Sequence, residues 1–267
     1  MRINQNIAAY NSFRNLSATN TQLGKSLEKL SSGFRINRAA DDAAGLAKSE
    51  SLRAEIRGSR QAIRNAQDGV SFVQTAEGAL NEVHSILQRM RELAVDAANT
   101  ATTDGVAQQA EVTELLAEIG AIGLNSTFAG KSIFSATTQT FHVGSGAGQT
   151  LDVTVGVLTT AGLGISGVNL ASSGGDADGA IGVINTAINT VASTRSTLGA
   201  TQNRLEHTVA NLSVAVENLS ASESRVRDTD MAEEMVAFTR HQIMVQAGTA
   251  MLAQANQVPG SVLALLQ

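Results

Sequence analysis

From Ile181 to Val226 the chain repeats every seven residues: Ile184, Val191, Leu198, Leu205, Leu212, Leu219 and Val226 are all large aliphatics. A strict seven-residue period holds one apolar line along a helix and obliges that helix to coil against a partner. The companion positions, Ile181, Ile188, Arg195, Gln202, Val209, Val216 and Glu223, are apolar at first, polar in the middle and mixed at the end. At about 1.5 Å per residue such a helix is about 65 Å long. The rest of the chain must therefore supply cover of similar length.

The sequence permits that cover. Of its 267 residues only Pro259 is proline, so helices elsewhere meet no interior breaker. Aromatics are 3%, without tryptophan, which argues against a thick core built on large rings. With 19 basic and 24 acidic residues the net charge is −5, and no basic block suggests nucleic acid. There is no cysteine, which excludes disulfides, thiol catalysis and cysteine-bound metal. The opening residues Met1 to Asn6 lack the charged start and apolar run of a cleaved secretory signal. No stretch reaches the ~20 apolar residues of a membrane span.

Taken in order, residues 1–34 read as a helix with a seam of Phe13, Leu16, Asn20, Leu23, Leu27, Leu30 and Phe34, in which Asn20 is a polar intruder. Ser31-Ser32-Gly33 is a stop, with Gly33 suited to a left-handed cap. Residues 35–43 form a polar connector. A second helical run spans 44–99 and ends in the turn-forming segment 99–105. A shorter helix over 106–122 follows, with Val112, Leu115, Leu116, Ile119 and Ile122 on one face. Residues 140–143 and 151–155 have strand composition around the loop 144–149 and predict a hairpin. Beyond Val157 the chain is rich in Gly, Ser, Thr and Ala. We read 128–180 as a small strand-and-loop cap at the distal end, with about Ser135 to Asp178 exposed and tolerant of insertion, for instance after Gly174.

The heptad helix comes next, and a last helix over 228–256 opens on Asp230 with Glu233 three residues on, a capping-box pattern. Met231, Met235, Phe238, Val245 and Leu252 form its stripe, interrupted by Gln242 and Thr249, and Pro259-Gly260 is expected to end it. Val262, Leu263, Leu265 and Leu266 leave an apolar tip. The fold class is mainly α: an elongated antiparallel bundle of long helices from both halves of the chain, with a small hairpin and loop region. The division expected is residues 1–43 with 228–267 as a discontinuous terminal domain, and 44–227 as the long-helix domain.

Signs of chemistry are few. Gly144 to Gly148 lacks the third glycine of a dinucleotide fingerprint and any following P-loop lysine, so a hairpin loop accounts for it. Asp41-Asp42 and Asp228-Thr229-Asp230 precede helices, where aspartate caps, and neither carries the further ligands of a calcium loop. His84, His142, His207 and His241 lie on separate elements, and no H-E-x-x-H occurs. The N-x-S/T sequences at Asn15, Asn125, Asn211 and Asn218 fall mostly in heptad helices and read as chance matches. No metal, cofactor or catalytic residue is indicated. Met231 and Met235, beside the apolar end, suggest a partner surface.

Several segments resemble the bacterial flagellin family. They are Leu30 to Asn37 followed by Asp41 to Ala47, Gln88 to Val95, Ser224 to Glu233, and Gln254 to Pro259 with Val262-Leu263. Phe34 stands where many members have leucine. The resemblance implies a structural, non-enzymatic subunit of the extracellular flagellar filament. It implies export without a cleaved signal, terminal helices lining an inner tube, and no outer domains in so short a middle segment. The assembly residues it implies are Phe13, Leu16, Leu23, Leu27, Leu30, Phe34, Met231, Met235, Phe238, Val245, Leu252, Val262, Leu263, Leu265 and Leu266. Its implied partners are further copies of the chain, the flagellar export apparatus and chaperone, the filament cap and the hook–filament junction proteins. A flagellin-sensing Toll-like receptor joins them, through Arg89, Leu93 and Glu111. The alternatives are a hook–filament junction protein and a stand-alone coiled-coil adaptor. Two thin, interrupted seams also predict that the terminal helices order only on assembly.

Overall fold

The computed structural model describes residues 5–99, 105–171 and 175–264, with side chains at all of these except 175–176 and 258–264. Among the described residues the elements run α1 (Ile7–Ser32), α2 (Ala43–Ala97), α3 (Val106–Asn125), β1 (Thr127–Phe128), β2 (Lys131–Ser132), β3 (Gln139–His142), β4 (Thr150–Val153), α4 (Gly175–Arg227) and α5 (Met231–Ala264). The fold is mainly α, with antiparallel long helices and two two-stranded antiparallel sheets, β1–β2 and β3–β4. The chain divides into two compact units, residues 56–217 and residues 1–55 with 218–267. These boundaries fall inside α2 and α4, not at the connectors that flank them.

In the unit 56–217, α2 packs antiparallel to both α3 and α4. Arg89 of α2 reaches Glu111 of α3, and Gln108 donates to Asp96 at 2.6 Å. Glu77 pairs with Arg195 of α4, and Gly69 lies against Leu205. The heptad line supplies its side of the core. Ile184, Val191, Leu198 and Leu205 are all buried, against Leu80, Val83, Leu87 and Met90 of α2 and Ile119 of α3. Full burial of each large aliphatic contributes about 1.5–3 kcal/mol. Leu212, the next residue on that line, is only half-buried.

The middle segment corrects the expectation of an exposed cap. Leu151, Val153, Val155, Leu158, Leu163, Ile165, Val168 and Leu170 are buried in the same core as the helices. Gln109 of α3 accepts from the Leu170 backbone N–H at 2.6 Å, tying this run to the helix. Its apolar residues are irregularly spaced among Gly and Thr, so no period advertised them. The hairpin is where the composition put it, with Phe141 paired to Leu151, and Phe141 and Phe128 both pack on Phe72 at ring separations of 5.7 and 5.8 Å. The β1–β2 turn was not anticipated. It is two residues long, Ala129 and Gly130, both with positive φ. The insertion point after Gly174 lies outside the described residues, as does the turn 100–104.

In the other unit α1 and α5 pair antiparallel. Gly33 ends α1 with φ +74°, its N–H donating to the Lys29 carbonyl. Asp42 accepts from the Gly45 N–H at 2.9 Å, and Asp230 from the Ala232 and Glu233 N–H groups at 2.8 and 3.2 Å. The aspartates are therefore caps, as their positions suggested. Pro259 does not stop α5, which continues to Ala264.

Candidate assembly interface

The α1–α5 seam differs from the one the sequence suggested. On α1 the covered residues are Ser12, Leu16, Thr19, Leu23, Ser26 and Leu30, while Phe13, Asn20 and Leu27 point outward, Phe13 at 63% exposure. Asn20 is therefore no buried intruder. On α5 the covered residues are Glu234, Phe238, His241, Val245, Gly248, Leu252 and Ala255, while Met231, Met235, Gln242 and Thr249 face out. The reason is close approach. Small residues at every second seam position of α1 let the helices close, and a Cβ on Gly248 would stand 3.1 Å from Leu16 Cδ1. Thr19 is satisfied locally, its hydroxyl donating to the Asn15 carbonyl at 2.9 Å.

The consequence is that both helices carry a second apolar surface. Ile7, Tyr10, Phe13 and Leu27 of α1 are exposed, as are Met231, Met235, Val236, Ile243, Met244 and Met251 of α5. Met235, Val236, Thr239, Arg240, Ile243 and Met244 line an open groove of about 480 Å³. Exposed apolar area in one contiguous strip marks an interaction surface. Val236, Ile243, Met244 and Met251 lie off the single apolar stripe that periodicity predicts for α5, which carries two. Of the terminal tip, Leu265 and Leu266 lie outside the described residues, as do the side chains of Val262 and Leu263.

Where α1 joins α2 and α4 joins α5, the two connectors are clasped. Phe34 and Asp228 form an isolated antiparallel bridge; Arg35 N–H donates to the Arg227 carbonyl at 2.7 Å and Thr229 N–H to the Gly33 carbonyl at 3.0 Å. The Phe34 ring takes two guanidinium groups, Arg227 at 5.0 Å and Arg53 at 5.4 Å from its centroid. Each arginine is held by a carboxylate, Arg53 by Glu223 at 2.9 Å and Arg227 by Glu50 at 2.6 Å. Arg35 Nη2 also donates to the Val226 carbonyl at 2.7 Å, near the end of α4. In the connector, Asp41 accepts from the Arg38 and Asn37 N–H groups at 3.0 and 3.2 Å; the Arg38 bond leads in holding its carboxyl below the usual aspartate value.

A third patch lies on the unit 56–217. Arg89 grips Glu111 with two nitrogens, at 2.8 and 3.3 Å, and touches Glu92 at 3.4 Å. Glu111 raises the arginine's already high pKa. Leu93, one turn on from Arg89, is not beside it on the surface. It is 7% exposed and belongs to the core. Gln88, Arg91, Glu92, Val95, Asp96 and Asn99 line an open groove here of about 730 Å³.

Residues 3–139 match the bacterial flagellin N-terminal helical region, and residues 181–266 the bacterial flagellin C-terminal helical region. The chain belongs to the bacterial flagellin family. Among curated flagellins, that of Halalkalibacterium halodurans is 49% identical over 277 residues and that of Bacillus subtilis 46% over 304, each alignment covering the whole of both chains. The flagellar filament 33 kDa core protein of Treponema phagedenis is 46% identical over 286 residues, again with full coverage. The crystal structure of Bacillus cereus flagellin aligns with 56% of this chain and 88% of its own, at a TM-score of 0.50 and 28% identity. The two matched flagellin regions leave only residues 140–180 between them, and of that segment Leu151, Val153, Val155, Leu158, Leu163, Ile165, Val168 and Leu170 lie in the core of the unit 56–217.

Proposed function

We propose that this chain is a structural subunit of a bacterial flagellar filament, polymerising through the outward faces of α1 and α5. The observation that carries it is the second apolar surface of the terminal helices. Among the described residues it has no cover, whereas neighbouring copies burying Val236, Ile243 and their companions would gain about 1.5–3 kcal/mol per large side chain. Contacts between different faces of identical copies build an open helical filament wherever the rotation between copies does not close. In this reading residues 1–43 and 228–267 line the inner tube and 44–227 form the surrounding tube. Met231, Met235, Phe13 and Leu27 then serve as intersubunit contacts, and Leu16, Leu23, Leu30, Phe238, Val245 and Leu252 hold the pair itself. Export through the flagellar apparatus with its chaperone, growth under a cap and attachment through junction proteins complete the role.

Seeding purified protein with filament fragments tests this by electron microscopy. Wild type should extend the seeds into tubes, and the exposed-site variant V236E/I243E should not, while keeping its helical circular dichroism. Discrete dimers or trimers from wild type would return the chain to the adaptor class.

A second reading concerns host recognition. Arg89 and Glu111 present a two-point ion pair on an exposed helix face, a shape suited to a receptor's polar groups. Leu93 would act from beneath, by holding α2 in place. Monomeric Arg89→Ala should lose activation of a flagellin-sensing Toll-like receptor, and full activity in that variant would remove the reading.

A further inference from the structure

The one proline lies inside a helix that does not end there. In α5 the N–H of residue 259 would donate to the Ala255 carbonyl, and proline has none to give. That carbonyl is not left bare: Asn6 Nδ2 donates to it at 2.7 Å. The other end of the same side chain is also used. Asn6 Oδ1 accepts from the Ala9 N–H at 3.1 Å and caps α1. One amide thus satisfies an orphan donor at the start of α1 and an orphan acceptor late in α5.

The large apolar residues of this seam do not fix the register by themselves; Gly248 against Leu16 and the Lys29–Glu234 pair at 3.5 Å favour it along the helices. On α1, Leu16, Leu23 and Leu30 recur every seven residues, and so do Ser12, Thr19 and Ser26. On α5, Phe238, Val245 and Leu252 have the same period, as do Glu234, His241, Gly248 and Ala255. A slip of seven residues, about 10.5 Å, would set large apolar residues against large apolar residues, although Glu234, His241, Gly248 and Ala255 are not interchangeable. The Phe34–Asp228 bridge pins one end of the pair. The other end is a helix length away.

We propose that Asn6 is the positioning residue that sets the α1–α5 register at its open end. It reads the single carbonyl that Pro259 frees, and so presents the outward faces of the two helices in the alignment that neighbouring copies require. The chain has one proline, so no slipped register offers Asn6 the same acceptor. This rests on the filament reading, and the test separates the two.

Asn6→Asp keeps the cap acceptor and removes the donor. Pro259→Ala restores a backbone N–H to the Ala255 carbonyl. In seeded polymerisation of full-length protein, N6D should raise the critical concentration about tenfold, equivalent to about 1.4 kcal/mol. In the P259A background the same change should alter it less than about threefold. Equal factors in both backgrounds, or no effect with Pro259 in place, would overturn the proposal; failure of wild type itself to extend seeds would instead overturn the filament reading. Should P259A not polymerise, solid-state NMR of wild-type filaments with ¹⁵N-labelled asparagine decides. One slowly exchanging side-chain proton on Asn6 is expected, and two exchanging at the solvent rate would refute the clasp.

Discussion

Replacing Phe34 by leucine should loosen the joint without unfolding the helices that meet there. The ring contacts two guanidinium groups at 5.0 and 5.4 Å, and a cation–π contact contributes about 0.5–1 kcal/mol at sites near solvent. Leucine keeps most of the apolar contact and neither π face, so the loss is about 1–2 kcal/mol. The Arg53–Glu223 and Arg227–Glu50 pairs remain, which bounds the damage to the ring's share. The reporters are two backbone amides that bridge the connectors, Arg35 N–H to the Arg227 carbonyl and Thr229 N–H to the Gly33 carbonyl. Native-state hydrogen exchange measures their local opening. Since 1.4 kcal/mol is a factor of ten, Phe34→Leu should speed exchange at both about 5- to 30-fold, and leave amides of α2 near Leu87 unchanged. Unchanged exchange at Arg35 and Thr229 would refute the claim that the ring stiffens the joint. A uniform increase across α2 would show that Phe34 acts on stability at large.

Gly123→Ala should lower the melting temperature of the monomer by up to about 12 °C. The new Cβ would strike the backbone carbonyl of Leu158, which cannot rotate away; overpacking costs about 1–3 kcal/mol against a helix-propensity gain of up to about 1 kcal/mol, and each net kcal/mol moves Tm by about 2–4 °C at this size. Acid should release the 35–43 connector. The Asp41 carboxyl titrates below its unfolded value of 3.8, so its stabilisation is complete above that value and is lost as pH falls through the lower folded one; exchange at the Asn37 and Arg38 amides, corrected for intrinsic rates, should rise only in that window. Terminal helices that wait for neighbours should exchange fast at α1 and α5 in the monomer and slowly in the filament, and slow exchange in both states would show that the pair orders alone.

The helices were legible in the sequence because their signals are local. Gly33, Asp230 and the seven-residue line through Leu198 each specify a helix end or face within a few residues. Facing and cover were not, because they depend on the partner. Phe13 and Leu27 fit an apolar period as well as Leu16 does, and only the close packing of Gly248 on Leu16 turns them outward. The irregular run from Leu158 to Leu170 hid a core layer behind a loop composition. Pro259 predicts a stop, since nothing near it in sequence shows that Asn6 supplies the missing donor. Leu93 shares a helical turn with Arg89, and spacing alone did not say that α3 would bury one and leave the other to solvent.

In the proposed filament the outward apolar face of α5 is a contact between copies. A helical reconstruction of filaments grown from this protein, by electron cryo-microscopy at side-chain resolution, measures that directly. It should show the groove of Met235, Val236, Ile243 and Met244 filled by side chains of a neighbouring subunit, with α1 and α5 innermost in the tube. Filaments in which that groove opens to solvent, with subunits joined only through residues 56–217, would contradict it.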